Sequence, residues 1–431
     1  MKVCVFGLWH LGSVTAASLA SGGHDVIGLD FDEKTIAGLS SGEPPLFEPG
    51  LSELTSRGIA EGKLRFTTSP EEALADADVL WVTYDTPVDE DDRADVGFVI
   101  TRIESLFDHL RHGTLVVVSS QLPVGSVRAL EQTYAARGHK ERVTFAASPE
   151  NLRLGKAIEV FTKPDRVVAG VRSEEDRARF AALMAPFTTS IAWMTVESAE
   201  MTKHALNAFL AMSVAFANEI AVVCEEVGAD AKEVERALKS DVRIGPRAYL
   251  APGGAFAGGT LARDVSFLTA LGRSHGRELP LIGSVKISND LHKEWAWTKL
   301  RALFPELAGK RIGVWGLTYK PGTDTLRRST SIELCRWLAG QGAVVQAHDP
   351  AVRVLPNALA NDIRLCATAE EAVQDADALI VATEWPDYRA IAPDAVASKG
   401  KLVVIDANRF LDCTFGRAAA VRYVTVGKGV A

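Results

Sequence analysis

The sequence predicts an α/β protein: two parallel-sheet lobes joined by a helical middle. Three observations carry this. Apolar, β-rich runs alternate with helical segments from the N-terminus to Ser148, a long apolar helix follows, and a second set of runs begins at Lys310. At the start, VCVF reads as a strand, LGSVTAASLASGG as a helix of small and apolar residues closed by a Gly pair, and HDVIGLD as a second strand. ADVLWVTY, GTLVVVSS and RVTFAAS supply further strands, with helical segments between some of them. Such alternation builds a parallel sheet covered by helices, so a Rossmann-like lobe is expected over residues 1–197.

The region 198–298 differs. ESAEMTKHALNAFLAMSVAFANEIAVVCEEVG contains no Pro and no internal Gly, and is apolar at helical spacing, which predicts one helix from about Ser198 to Val227. A helix that long and apolar needs more partners than a single face provides. It bridges two domains or packs against its own copy, and a homodimer built on it is the expectation. From Lys310, KRIGVWGLTYKPGTD set beside KVCVFGLWHLG gives a weak internal repeat, Val-Trp-Gly-Leu answering Val-Phe-Gly-Leu. AVVQAHDP, ALIVATEW and KLVVIDA complete a second Rossmann-like lobe over 299–431.

Composition bounds the partners. With 431 residues, 47% hydrophobic and 24% charged, the chain is an ordinary globular protein long enough for two or three domains. A net charge of -8 argues against nucleic acid held by bulk charge. No segment is read as reaching the roughly 20 uninterrupted apolar residues that span a bilayer. Gly7, His10 and Gly12 break the first apolar run too early for a signal peptide. Cys4, Cys224, Cys335, Cys366 and Cys413 show no CxxC spacing and cannot all pair, so reduced thiols in the cytoplasm are expected, with no metal site.

GLWHLG, from Gly7 to Gly12, stands where a dinucleotide-binding loop reads G-x-G-x-x-G, directly after the first strand. Trp9 holds the place of the middle glycine, which normally lets the backbone approach a pyrophosphate. Two readings stay open: a loop that still carries the cofactor with the Trp9 ring turned outward, or a loop that has lost close contact. Asp30 ends the second strand, where a carboxylate bonds adenosine ribose hydroxyls and repels a 2′-phosphate. NAD is therefore expected over NADP.

Longer motifs settle the reading in favour of the cofactor. GEPPLFEPGLSEL, DTPVDEDDRADV, SPENLRLGKAIEVFTKPDRVVAG, AEMTKHALNAFLAMSVAFANEIA, RIGPRAYLAPGGAFAGGTLARD, GLTYKPGTDTLRRS and TEWPDYR occur in that order. Together they resemble the UDP-glucose/GDP-mannose dehydrogenase family nearly end to end. The resemblance implies two NAD-dependent oxidations of a nucleotide sugar's 6-hydroxyl, through a cysteine-bound thiohemiacetal and thioester. It implies cofactor contacts at Gly7, Trp9, Leu11, Gly12, Asp30, Lys34, Thr86, Pro87 and Arg327. Substrate contacts are implied at Asn151, Leu152, Arg243, Tyr249, Gly258 and Lys320, with Arg243 reaching the substrate of the dimer partner. Lys203 and Asn207, one helical turn apart, match residues that stabilise an alkoxide. Glu150 and Asp264 match candidates for proton transfer or for orienting water.

The chain departs from the family where the covalent step occurs. The family's G-F-G-G-S-C-F-x-K-D reads AFAGGTLARD here, so Thr260 holds the nucleophile's place and Arg263 follows in place of Lys. Leu154 replaces the second glutamate of the S-P-E run, and Gln121 replaces a threonine. An alcohol needs a strong neighbouring base that a thiol does not. Two roles stay open for Thr260: a catalytic one, or a helix cap after Gly258 and Gly259. The sequence thus implies an NAD-dependent oxidoreductase of a UDP- or GDP-linked sugar, limited to a two-electron step. The alternatives are a redox-neutral epimerase, a non-catalytic nucleotide-sugar binder, or a full dehydrogenase with a non-covalent second step.

Overall fold

The structure is a computed structural model that describes residues 1–87, 94–139, 142–150, 152–257, 259–396 and 402–429. The chain divides into two compact units, Met1–Leu206 and Asn207–Ala431.

The first unit holds a sheet of β1 (Lys2–Phe6), β2 (Asp25–Leu29), β3 (Leu64–Thr67), β4 (Val79–Val82), β5 (Leu115–Val118), β6 (Thr144–Ala147), β7 (Val167–Gly170) and β8 (Ile191–Met194). Their order is β3-β2-β1-β4-β5-β6-β7-β8, parallel except where β6 meets β7. The second unit holds β9 (Arg311–Trp315), β10 (Val344–His348), β11 (Arg364–Leu365), β12 (Ala378–Val381), β13 (Leu402–Asp406) and β14 (Val421–Val424). Their order, β11-β10-β9-β12-β13-β14, repeats that of β3 to β6 in the first sheet. The weak Val-Phe-Gly-Leu repeat therefore marks equivalent strands, β1 and β9, each central in its sheet.

Side-chain alternation explains why these strands are legible. Cys4 and Phe6 pack into the core on one face of the first sheet, Val3 and Val5 into the core on the other. In the second sheet, Ala378 and Ile380 face one core and Leu379 and Val381 the other. Strands covered on both faces read as continuous apolar runs, and each fully buried Val, Leu or Ile contributes about 1.5–3 kcal/mol.

The central helix runs over Val196–Val227, starting two residues before the expected Ser198. One expectation needs correcting: this helix is long and apolar enough, by length and composition, to cross a membrane. Its polar side chains instead bond the protein around it. Glu200 accepts the Gly125 and Val127 N–H groups, His204 bonds the Leu122 carbonyl, and Asn218 accepts the Gly253 N–H.

Candidate functional site

The turn after β1 is built around two glycines that nothing else can replace. Gly7 has φ +95°, and a Cβ there would lie 2.8 Å from the Tyr84 nitrogen. A Cβ on Gly12 would fall 1.9 Å from the Gly7 carbonyl oxygen. Thr83, just past β4, donates its hydroxyl to the Phe6 and Gly7 carbonyls at 3.0 and 2.8 Å. Ser13 donates to the Leu8 carbonyl at 2.8 Å, closing the turn onto the helix His10–Ser21.

Trp9 precedes that helix with φ -73°, a conformation open to any L-residue, and its side chain is 49% exposed. The glycine usual at this place is not needed to form this backbone. The first helical N–H groups, together with the helix dipole, present a site for a diphosphate. Asp30 accepts the Leu8 N–H at 2.7 Å and the Asp32 N–H at 3.1 Å. A carboxylate has about four lone-pair sites, so Asp30 keeps acceptor capacity for ribose hydroxyls. These residues fit a dinucleotide. Leu11 is buried behind the loop, and Lys34 lies exposed in the first turn of the helix Glu33–Ser40. Thr86 is buried and donates to the Gln121 carbonyl at 2.6 Å, while the Pro87 carbonyl accepts the Asp95 N–H at 2.8 Å.

Beyond β5 and β6 lies a small pocket lined by Gln121, Glu150, Glu200, Lys203 and His204. Lys203 Nζ donates to the Glu150 main-chain carbonyl at 2.6 Å, and the Glu150 carboxylate receives the Leu152 N–H. Leu152, with Leu11 and Glu150, lines a neighbouring pocket. Glu200 caps the start of the helix Ser126–Ala136, and burial pushes its carboxyl above the usual range. Sequence reading missed Glu200 and His204, because only the fold shows what they bond.

In the second unit Asn207 and Asp264 are both buried, and Asn207 Nδ2 donates to the Asp264 carboxylate. The helix Thr260–Ser274 carries Asp264 one turn in, with Arg263 buried beside it. The capping role open to Thr260 is not the one observed. Gly259 holds the cap position without a side-chain bond, and Thr260 is the first helical residue, exposed. The chain turns one residue earlier than a threonine cap requires.

An open cleft in this unit, of about 290 Å³, is lined by Lys320, Tyr319, His292, Thr383, Glu384 and Asn408. Burial pushes the Glu384 carboxyl up and the His292 ring down. Arg327 is exposed in the same loop as Lys320, between β9 and the helix Thr330–Gly340. Tyr249 is 58% exposed, and Arg243 extends into solvent, paired with Asp241 at 2.7 Å. Asn151 and Gly258, and residues 88–93 of the DTPVDEDDRADV segment, lie outside the described residues. Among the described residues no cluster of His, Cys, Asp or Glu suits a metal.

A glycine-bound turn at a helix start, closed by an acidic residue at the next strand's end, defines a dinucleotide-dependent dehydrogenase lobe, and NAD is its cofactor. Residues 1–188, 197–291 and 313–413 match the NAD-binding, central and UDP-binding domains of one family. The chain belongs to the UDP-glucose/GDP-mannose dehydrogenase family. It is 34% identical to a UDP-glucose 6-dehydrogenase of Pseudomonas aeruginosa, over 93% of this chain and 91% of that protein. It is 33% identical to the Rhizobium meliloti UDP-glucose 6-dehydrogenase, over 99% of this chain and all of that protein. The solved UDP-glucose dehydrogenase of Pyrobaculum islandicum superposes with a TM-score of 0.89 at 29% identity, covering 99% of this chain and 98% of that one.

Proposed function

We propose that this chain oxidises the 6-hydroxyl of a UDP- or GDP-linked sugar to the aldehyde and stops there. Bound NAD supplies the hydride acceptor, held in the first unit by Gly7, Gly12, Asp30, Lys34 and Thr86. The chain's own residues do the rest. The Lys203 ammonium and the Asn207 amide, one turn apart on the central helix, stabilise the alkoxide as the hydroxyl proton leaves. Glu150 and Asp264 take up or relay that proton. In the second unit Lys320 and Tyr249 hold the nucleotide, in the first Leu152 contacts the sugar, each as the family resemblance implies, and Arg243 reaches the partner subunit's substrate.

The observation that carries the reading is Thr260 at the exposed head of its helix, beside an intact Asn207–Asp264 pair. The alkoxide-stabilising side chains remain. The thiol that would capture the aldehyde does not, and Cys224, on the central helix, is 5% exposed in a hydrophobic core. Asp264 is the carboxylate one turn on from Thr260, a weak base already engaged by Asn207. A screen of nucleotide sugars for NADH formation, with product mass measured, tests the function. NADH with a product two mass units below the substrate is expected. Co-purifying NAD(H) with an epimer and no net NADH would establish the redox-neutral alternative instead.

The same reading includes a cytoplasmic homodimer. Phe209, Phe216, Val223 and Val227 are exposed at heptad-related spacing along the central helix, an apolar stripe suited to a second copy. Cys4, Cys224, Cys335 and Cys366 are buried free thiols, as in a reducing compartment. Sedimentation at micromolar concentration should show a dimer, and a monomer there would remove this part.

A further inference from the structure

One buried carboxylate ties the cofactor turn to the loop that carries Glu150. Glu48, in the segment PPLFEPGL, is 4% exposed. One of its oxygens, Oε2, bonds His10 Nε2 at 2.9 Å and accepts the Gly155 N–H at 2.8 Å. The other, Oε1, accepts the Ala157 N–H at 2.7 Å. His10 is the first residue of the helix that opens on the dinucleotide turn, and its side chain is 14% exposed. Gly155 ends the SPENLRLG stretch and Ala157 starts the helix that follows it; Glu150 of that stretch lines the pocket beside Lys203, and Glu150 and Leu152 together line the neighbouring pocket. The Gly155 and Ala157 bonds cap the start of the helix Ala157–Thr162, whose own cap residue, Lys156, makes no side-chain bond, so Glu48 fastens that helix start to the His10 helix.

A carboxylate buried this deeply is costly unless its oxygens are bonded, and here three donors from two different segments satisfy it. Moving either segment away would leave part of that carboxylate unpaired. The position of one therefore biases the position of the other.

We propose that His10 and Glu48 are positioning residues that couple occupancy of the cofactor turn to the placement of Glu150 and Leu152, so that NAD and the nucleotide sugar each bind more tightly when the other is present. A ligand that fixes the start of the His10 helix fixes His10, and through Glu48 the end of the loop. Such coupling is reciprocal by thermodynamic necessity. The inference rests on the proposed function, because it needs NAD in the first unit and a sugar over Glu150.

The test measures dissociation constants by calorimetry for NAD alone, for the 6-deoxy analogues of UDP-glucose and GDP-mannose alone, which carry no 6-hydroxyl to oxidise, and for each with the other partner saturating. The readout is the ratio of affinities, which a general loss of stability would not move in this pattern. The wild type is expected to show a ratio of about five or more. His10→Phe keeps the ring volume but removes the bond to Glu48, and its ratio should fall to about one. His10→Gln, whose amide can donate to Glu48, should recover part of it. Thermal melting of each variant confirms folding. If both ligands bind the wild type with a ratio of one, or if His10→Phe keeps the wild-type ratio, the coupling is wrong while the function stands. If the wild type binds neither NAD nor a nucleotide sugar, both readings fall.

Discussion

The turns after β1 and β9 start from the same anchor and put it to different use. In each, a glycine with φ above +90° sits where a Cβ would strike the main chain of the neighbouring strand's end: Gly7 against Tyr84, Gly316 against Thr383. An aspartate at the end of the adjacent strand accepts the next N–H at 2.7 Å, Asp30 from Leu8 and Asp349 from Leu317. A serine closes each turn by donating to that same residue's carbonyl, Ser13 to Leu8 and Ser329 to Leu317. A threonine then pins the turn from the neighbouring strand's end, Thr83 onto Gly7 and Thr383 onto Thr318.

The difference is where the helix begins. After Gly7 it begins at His10, so its N-terminal amides stand at the turn, as a dinucleotide diphosphate requires. After Gly316 it waits until Thr330, and the intervening loop carries Lys320, Arg327 and Arg328. One turn presents the amides of a helix end, and the other a loop that carries side-chain cations. The shared anchor is backbone architecture, and binding chemistry is decided by what is inserted after it.

Substitutions can break this comparison. Gly12→Ala forces a methyl onto the Gly7 carbonyl, an overpacking of about 3 kcal/mol. NAD affinity should fall roughly a hundredfold, while calorimetry with UDP should show the second unit's cleft still binding. Loss of UDP binding as well would mean the two turns are not independent.

The two aspartates should separate next. Asp349 is 2% exposed and also bonds the Thr318 N–H and hydroxyl and the Trp385 indole. Asp349→Ala should cost about 3 kcal/mol or more in a urea melt, from donors left unpaired. Asp30, half-buried, should cost only about 1 kcal/mol on replacement by Ala, with its main effect a weaker NAD and a narrower preference over NADP. Equal NAD and NADP affinity in the wild type would remove Asp30 from the cofactor site.

The smallest effect concerns pH. In the first unit, hydrogen bonds from Arg172, with Arg128 adding to them, hold the Glu197 carboxyl down to about 2. A depressed carboxyl stabilises above its unfolded value of about 4.3 and loses that contribution as pH falls through the folded one. In the second unit, burial raises the Asp406 carboxyl, so its contribution is complete at low pH and is lost as pH rises through the raised value. Arg172→Met should flatten the acid side of the stability curve and Asp406→Asn the other side, each in pH-dependent melts.

These pairs also show what the sequence makes legible. β1, β2, β4, β5, β6, β9, β10, β12 and β13 are readable because most of their positions are apolar and buried. LRFT of β3, VVAG of β7, IAWM of β8, the two residues of β11 and VRYV of β14 escape notice, being short or partly exposed. Gly7, Gly12 and Asp30 are legible because a steric requirement ties residue type to position. Glu48, Glu200 and His204 are not, since their partners lie far off in sequence and no local spacing announces them.

The chemistry at Thr260 decides the central claim, and NADH stoichiometry under single-turnover conditions reads it directly. Wild type with a limiting nucleotide sugar and excess NAD should release one NADH per sugar, with the aldehyde trapped by hydroxylamine and no uronate formed. Thr260→Cys, placing a thiol at a helix start where backbone N–H groups favour the thiolate, should add a second NADH and leave an acyl adduct on that cysteine by mass spectrometry. Leu154 in place of a glutamate should slow its hydrolysis. Two NADH and a uronate from the wild type would show that Thr260 is no barrier, and would contradict the two-electron account outright.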